Sequence, residues 1–510
     1  MASASALCSL PPELLARVGS LAGRVEELGR LDCVAHAFHS VQPALNRSVV
    51  EEALRLRAAE RGHAVAATLP AGEASWTQWF CWEERRDRVA RRAVAACGEL
   101  HSAFIDAEGR LLTCGGVREE DDPWNPAALG HGEGVTRLEV PTIIPALSGV
   151  RIRSVAASSD HTLAVAADGR AFSWGDGDNG RLGHGDKRNQ LTPRPIAALR
   201  RVKVVAIATG AAHSLLLADN GLVFSCGHGI FGRLGHGPLV HNDAVNGNEE
   251  PQLTPRPIEA LRGVKVVAIA AGMLHTLLLA DDGLAYSCGY GRLGQLGHGD
   301  KEDRYTPRPI EALRGVNVVA IAAGDTHSLL LVDDGLVYAF GEGVHGQLGH
   351  GDEDEYTPRP IEVLAGVKVV AVAAGAAHSL LLADSGIVYS CGHGEGGQLG
   401  QGPMPGPNLY APRPIKALAG VKVAAVAAGW RHSLAVAADG RAFGWGSSPS
   451  SGVIGFALGL QLEAEQSVPL QYPRLRIDSP CVAGGAGAAR EPTDDIDIAL
   501  TRGASSVELS

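Results

Sequence analysis

The stretch Gly175-Asp-Gly-Asp-Asn-Gly-Arg-Leu-Gly-His-Gly-Asp186 contains GxGxxG, the spacing with which a glycine-rich turn cradles a dinucleotide pyrophosphate at a helix N-terminus. That chemistry requires one copy, a preceding strand and a following helix. Here the pattern recurs at Gly227, Gly289, Gly341 and Gly392, and a proline-bearing segment such as Thr192-Pro-Arg-Pro-Ile196 follows each copy, which rules out a continuing helix. The glycines are therefore expected to serve a repeated sharp turn, not a cofactor. Histidine offers a second chemistry, since imidazole is a common metal ligand. His101, His161, His213, His275, His327, His378 and His432 stand in similar frames at intervals of 51 to 62 residues. One histidine per unit around a ring cannot converge on a single ion, so these groups, with His184, His236, His298 and His350 of the LGHG segments, are expected to bond the backbone between strands. The residue thirteen after each framed histidine alternates among cysteine, tryptophan and phenylalanine (Cys114, Trp174, Cys226, Cys288, Phe340, Cys391, Trp445), which marks packing space and not a thiol site. No nucleophile elbow, HExxH, P-loop or paired-carboxylate motif is present. The residues thus predict no catalytic centre, no metal site and no cofactor, and no enzyme acting alone.

The elements that carry these residues form seven units. Within each, an apolar run, a turn such as Asp219-Asn-Gly221 and a second run such as Leu222-Val-Phe-Ser-Cys226 predict a β-hairpin. Val202-Lys-Val-Val-Ala-Ile-Ala208 supplies a further strand, and Pro195-Ile196 a short edge strand, since proline cannot donate to a central ladder. Four antiparallel strands repeated seven times fit radial closure, which protects the sheet edges. The fold expected is mainly β, a seven-bladed β-propeller over 93–482. Extra residues after Cys114, between Gly237 and Gln252 and after Trp445 should project from one rim. Two segments compete to close the ring, Ala93-Val-Ala-Ala-Cys97 and Val468-Pro-Leu-Gln-Tyr-Pro473 with Cys481-Val482; the N-terminal one, which precedes His101 as other first strands precede theirs, is favoured.

Composition bounds the setting. The 510 residues exceed one ordinary compact core, and 65 glycines with few aromatics suit an array of tight turns. A formal charge of −11 argues against nucleic acid as the partner of the whole protein and leaves a basic protein partner open. Nine cysteines without CxxC pairs fit a reducing compartment, and no window carries eighteen uncharged apolar residues, so no membrane association is expected and the location expected is cytoplasmic or nuclear.

The repeat VAxAAGxxHSLxLxxDGxVxSxGxGxxGQLGHGD, with its TPRPI link, resembles the regulator of chromosome condensation repeat over about Ala93 to Ile477. The resemblance implies a seven-bladed propeller but not one function, because members exchange nucleotide on a small GTPase, perceive ultraviolet light or bind protein partners. In the family's ultraviolet sensor several blades carry Gly-Trp-Arg-His; here only Gly429-Trp-Arg-His432 does so. The dipeptides preceding the framed histidines differ from blade to blade and closure gathers them at one end, so Met273, Leu274, Asp325, Trp430 and Arg431 are expected to contact a partner.

Ahead of the array, Leu10-Pro-Pro-Glu-Leu-Leu-Ala-Arg-Val18 and the apolar positions after it predict short amphipathic helices. The segment 9–48 resembles the F-box, with Leu10, Pro11, Leu14, Leu15, Val18, Leu21, Leu28, Leu31, Val34 and Phe38 at matching positions. It departs from that pattern at Ala16-Arg-Val18, which lacks the usual isoleucine pair, and at Gly23. The resemblance implies a small all-α F-box-like domain that binds a Skp-type adaptor of a cullin ubiquitin ligase, with the propeller presenting a protein substrate. The alternatives are guanine nucleotide exchange on a Ran-type GTPase, for which Gly237 to Gln252 would be the insert, and a non-catalytic chromatin- or protein-binding scaffold. Residues 49–92 read as a helical linker in which Trp76, Trp79 and Trp82 form one packing stripe, and 483–510 as a disordered tail.

Overall fold

A computed structural model describes residues 94–116, 128–238, 251–404, 406–446 and 466–477. The F-box-like segment, the helical linker, the tail and Cys481-Val482 lie outside the described residues. Within them, 28 strands form seven four-stranded antiparallel sheets, each built from four consecutive strands. These blades are numbered 1 to 7 and span 95–143, 152–195, 204–257, 266–309, 318–360, 369–414 and 423–476. The seven-bladed β-propeller is the fold that the repeat spacing predicts.

Each blade repeats one construction. The second strand opens on the framed histidine and is buried along its whole length, as in His213–Ala218, where Leu215, Leu216 and Leu217 are fully enclosed. Leucines pointing both ways from one strand need apolar partners on both faces, and the neighbouring blades supply them. One core cluster, for example, joins Leu277 and Leu279 of blade 4 to Leu330, Val332 and Phe340 of blade 5. The cores therefore lie between blades, and no blade is a complete folding unit alone. The alanine-rich first strands, such as Val204–Thr209, are half-buried toward their ends and meet the first strands of the neighbouring blades around the ring. The outer strand carries the prolines, as in Gln190–Pro195, where its free edge has no ladder to lose. The turns between first and second strands and the loops between third and fourth strands lie at one end of the barrel of blades; the hairpin turns lie at the other.

Closure uses both termini, where the sequence favours the N-terminal segment alone. In blade 3 the first strand pairs five residues with the second, from Thr209 opposite Ser214 to Val204 opposite Ala218. In blade 1 the strand Ala95–Cys97 fills the positions opposite Ser102, Ala103 and Phe104. The position opposite Asp106 is filled by Ile477 from the C-terminal end. Ile477 follows the outer strand of blade 7 (Gln466–Arg476), so Val468 to Pro473 belong to a fourth strand and do not begin an eighth unit. The first strand of blade 1 is thus split between the two ends of the chain. Phe104, Cys114, Leu434, Tyr472, Leu475 and Ile477 are buried together across this seam, with Phe104 edge-on to Tyr472 at 5.2 Å. Val94 and Ile477 both sit at the hairpin-turn end, so the chain enters and leaves the described propeller there.

Candidate functional site

The framed histidines bind one another's blades into a ring, and the bond is to a side chain and not, as the sequence suggests, to backbone. Each Nε2 meets the hydroxyl that follows the framed histidine of the next blade: His101 with Thr162 at 2.7 Å, His161 with Ser214 at 2.8 Å and His213 with Thr276 at 3.2 Å. His275 with Ser328 and His327 with Ser379 follow at 3.0 Å, His378 with Ser433 at 2.9 Å, and His432 with Ser102 at 3.0 Å completes the circle. The hydroxyls of Ser214, Thr276 and Ser328 donate to the carbonyls of Arg181, Arg233 and Gln295, so they accept from Nε2–H. Burial keeps the imidazoles neutral, pushing His101, His275, His327 and His378 down to about 3 and His432 to about 4. Six blades carry a glycine three residues before the histidine, where space is short: a Cβ on Gly272 would lie 2.4 Å from the Gly324 carbonyl oxygen and 2.3 Å from the His275 ring; blade 2 carries Ser158 there, whose hydroxyl meets His161 Nδ1 at 2.8 Å.

The LGHG histidines also bond a hydroxyl. His184, His236 and His298 each reach the serine of their own third strand (Ser173, Ser225, Ser287) at 2.9 Å. At blade 5 Ala339 stands in the serine's place opposite His350, and at blade 6 Gln401 replaces the histidine and donates to Ser390 at 2.9 Å. The cysteine, tryptophan and phenylalanine positions are packing, as their alternation predicts. Trp174 donates to the Ala128 carbonyl at 2.9 Å, and burial pushes the Cys226 thiol up to about 12. Gly175, the first glycine of the dinucleotide-like motif, has φ of 111°, and a Cβ there would lie 2.3 Å from the Asp160 carbonyl oxygen. The motif is a blade turn.

What varies is concentrated at the end opposite the chain's entry and exit. The residue after each third-strand glycine donates its N–H to the second residue of the dipeptide: Asp176 to Asp160, His228 to Ala212, Tyr290 to Leu274, Glu342 to Thr326 and His393 to Ala377, at 2.8 to 3.0 Å. This stacks the glycine-rich loops outside the dipeptides and brings Met273, Leu274, Asp325, Trp430 and Arg431 to one face. The mixed side chains divide into sectors. Arg181 bonds Asp160 at 2.9 Å and pairs with Asp176 at 3.1 Å. Thr326 donates to Glu342 at 2.6 Å. Burial, then Glu99 from blade 1 and Glu342 from the adjoining loop, push Asp325 up to about 6. The Arg431 guanidinium lies 5.0 Å over the Trp430 ring. On blades 3 and 4, Met273 is 44% exposed, Arg233 donates to its carbonyl at 3.2 Å, and Phe231 contacts Tyr290 at 4.9 Å. Glu99, Glu342, Phe231 and Tyr290 belong to this face although the dipeptide argument does not single them out; the residue after each third-strand glycine is the signal for two of them.

The flanks of the longer insertions, Gly116 and Ala128, Pro238 and Pro251, Gly446 and Gln466, all belong to connections between third and fourth strands, hence to this same rim. Leu10, Pro11, Leu14, Leu15, Val18, Leu21, Leu28, Leu31, Val34 and Phe38 lie outside the described residues.

Residues 82–422 match the RCC1-like domain, and 423–452 the regulator of chromosome condensation (RCC1) repeat. The chain is 34% identical over 399 residues to the Ultraviolet-B receptor UVR8 of Arabidopsis thaliana, covering 77% of this chain and 83% of that protein. It is 36% identical over 348 residues to human E3 ubiquitin-protein ligase HERC2, a match covering 67% of this chain and 7% of that protein's length. Among solved structures it is similar to yeast RCC1 (Prp20), crystallised with Kap60, at 25% identity and a TM-score of 0.61, covering 80% of this chain and 90% of that one. The chain belongs to the RCC1-like domain family, as a seven-bladed propeller of that family's repeats.

Proposed function

We propose that the protein is a substrate-recognition subunit of a Skp-cullin-F-box ubiquitin ligase of the cytoplasm or nucleus. Residues 9–48 would bind the Skp-type adaptor and the propeller a protein substrate. The observation that carries the binding role is the gathering of the variable dipeptides and rim loops at the end opposite Val94 and Ile477. The F-box pattern of Leu10 to Phe38 supplies the adaptor half of the reading. Likeness to HERC2, named as an E3 ubiquitin-protein ligase, supports a propeller of this family working in ubiquitin transfer. Nucleotide exchange has the fold likeness to yeast RCC1 in its favour, and fold alone is a weak warrant for activity. Light perception through a tryptophan cluster is not favoured at this face, since Trp430 is the one tryptophan among the seven dipeptides.

The adaptor half is tested with purified components. The full chain is expected to pull down a Skp-type adaptor, and Leu14→Asp with Leu15→Asp to abolish capture without moving the propeller's thermal midpoint, because charge cannot be desolvated in an apolar helical interface. Failure of the wild-type chain to bind any Skp-type adaptor sinks the receptor reading.

A further inference from the structure

The dipeptide end combines two surfaces of different chemistry, and together they define what fits it. One is acidic. Glu99 and Asp325, in the dipeptides of blades 1 and 5, and Glu342, in the loop bonded to Thr326, are half-buried, and Glu99 and Glu342 both oppose ionisation of Asp325. Arg181 is already engaged by Asp160 and Asp176, and Arg431 lies over Trp430 while also lowering the pKa of Glu99. The other surface is apolar. Met273 is 44% exposed, and beside it stand Leu274 and the Phe231–Tyr290 pair, joined by the Arg233 bond to the Met273 carbonyl. Methionine and aromatic side chains at a surface adapt to a partner and supply much of an interface's energy.

We propose that this face takes a protein segment presenting a lysine or arginine beside apolar side chains, with the cation held between Glu99, Asp325 and Glu342 and the apolar side chains against Met273, Phe231 and Tyr290. The inference rests on the partner-binding role proposed for the same face and adds the chemistry of the partner. Charge complementarity selects this occupant: an incoming cation offsets the repulsion that Glu99 and Glu342 exert on Asp325, whereas an acidic segment adds to it. The chain's overall charge of −11 favours encounter with a basic segment as well.

The test measures fluorescence anisotropy of three labelled peptides of about twelve residues, identical except for a central Leu-Lys-Leu, Leu-Glu-Leu or Gly-Lys-Gly, titrated with the full chain. The Leu-Lys-Leu peptide is expected to bind, and each of the others at least tenfold more weakly. Glu99→Gln with Asp325→Asn should weaken Leu-Lys-Leu at least tenfold, while Asp384→Asn, at the hairpin-turn end, leaves it unchanged. Met273→Ser should bring Leu-Lys-Leu toward Gly-Lys-Gly and leave Gly-Lys-Gly unaffected. Equal binding of the three peptides, no effect of the Glu99/Asp325 variant, or an equal effect of Asp384→Asn overturns the proposal. Loss of cellular partners in Trp430→Ala and Arg431→Ala, with no peptide binding, would retain the face and refute the basic-apolar chemistry. Retention of those partners would remove the face itself.

Discussion

A framed histidine does its work by staying neutral. In solution imidazole has a pKa near 6.5, and inside the ring it is pushed down to about 3 or 4 because burial opposes its charge. At His161 and His213 nearby Arg181 and Arg233 push further in the same direction. Above about pH 6.5 both folded and unfolded chains carry these groups uncharged, so their bonds contribute in full. Below it the unfolded chain takes up protons that the folded chain refuses, and stability is lost as pH falls toward 4. Each such histidine costs about 1.4 kcal/mol per pH unit in that window. With seven titrating together, acidification from pH 6 to 5 removes roughly 8 kcal/mol, comparable to the whole stability of a typical domain. Asp325 acts in the opposite sense, since its folded pKa is raised to about 6 and it gains a proton in the folded state first, but one group does not offset seven. Thermal midpoints should therefore fall steeply below pH 6; a midpoint constant between pH 7 and 5 would contradict the neutral ring. The sequence shows that these histidines are structural, because their spacing prevents convergence. It does not show the partner, because the bonding hydroxyl belongs to the next repeat some 50 to 60 residues away and two candidates, backbone and side chain, satisfy an imidazole equally well.

The glycine-rich loop comes in two conformations, chosen by one side chain. In blades 2 and 3 the residue before LGHG is an arginine, whose Nε donates to the carbonyls of Asp178 and Ile230. In blades 4 and 5 it is a glutamine, whose Oε1 accepts from the N–H groups of Leu293 and His345. Those carbonyls and N–H groups belong to the same peptide unit of the loop. A donor draws its oxygen inward and an acceptor its N–H, so the peptide turns over. The residue after it moves accordingly: Asn179 and Phe231, with φ of 58° and 62°, are the two non-glycine residues of positive φ among the described residues, while Leu293 and His345 are not among them. Asn tolerates this region better than Ala, which pays about 1 kcal/mol or more there. Asn179→Ala should cost about 1 kcal/mol in chemical denaturation and Asn179→Gly little. In Arg181→Gln, where the loop can adopt the other peptide orientation, Asn179→Ala should lose most of its effect, and an additive double-mutant cycle would refute the switch. The arginine–glutamine alternation is plain in RLGHG and QLGHG, yet its consequence was not legible. Both residues suit a polar loop, and only the geometry shows one peptide facing them.

At the scale of the molecule, the blade count, the strand order and the location of insertions could all be read from the repeat, because a period of 51 to 62 residues with an uninterrupted hairpin leaves few other arrangements. The split first strand of blade 1 could not. Ala95–Cys97 and Ile477 each look like an incomplete strand, and only closure shows that they complete one another opposite Ser102 to Asp106. The chain enters and leaves at one end of the ring, at Val94 and Ile477, and the dipeptides stand at the other. The dipeptide end is the face we propose recognises the partner. Its most direct test is quantitative mass spectrometry of proteins co-purifying with the full chain, with Trp430→Ala, with Arg431→Ala and, at the opposite end, with Lys422→Ala. Trp430→Ala and Arg431→Ala are expected to weaken partner capture by at least ~1 kcal/mol, about fivefold, with unchanged thermal midpoints, while Lys422→Ala retains it. An unchanged partner set in folded Trp430→Ala and Arg431→Ala would contradict the proposal and move recognition to the rim insert between Gly237 and Gln252 or to the hairpin-turn end.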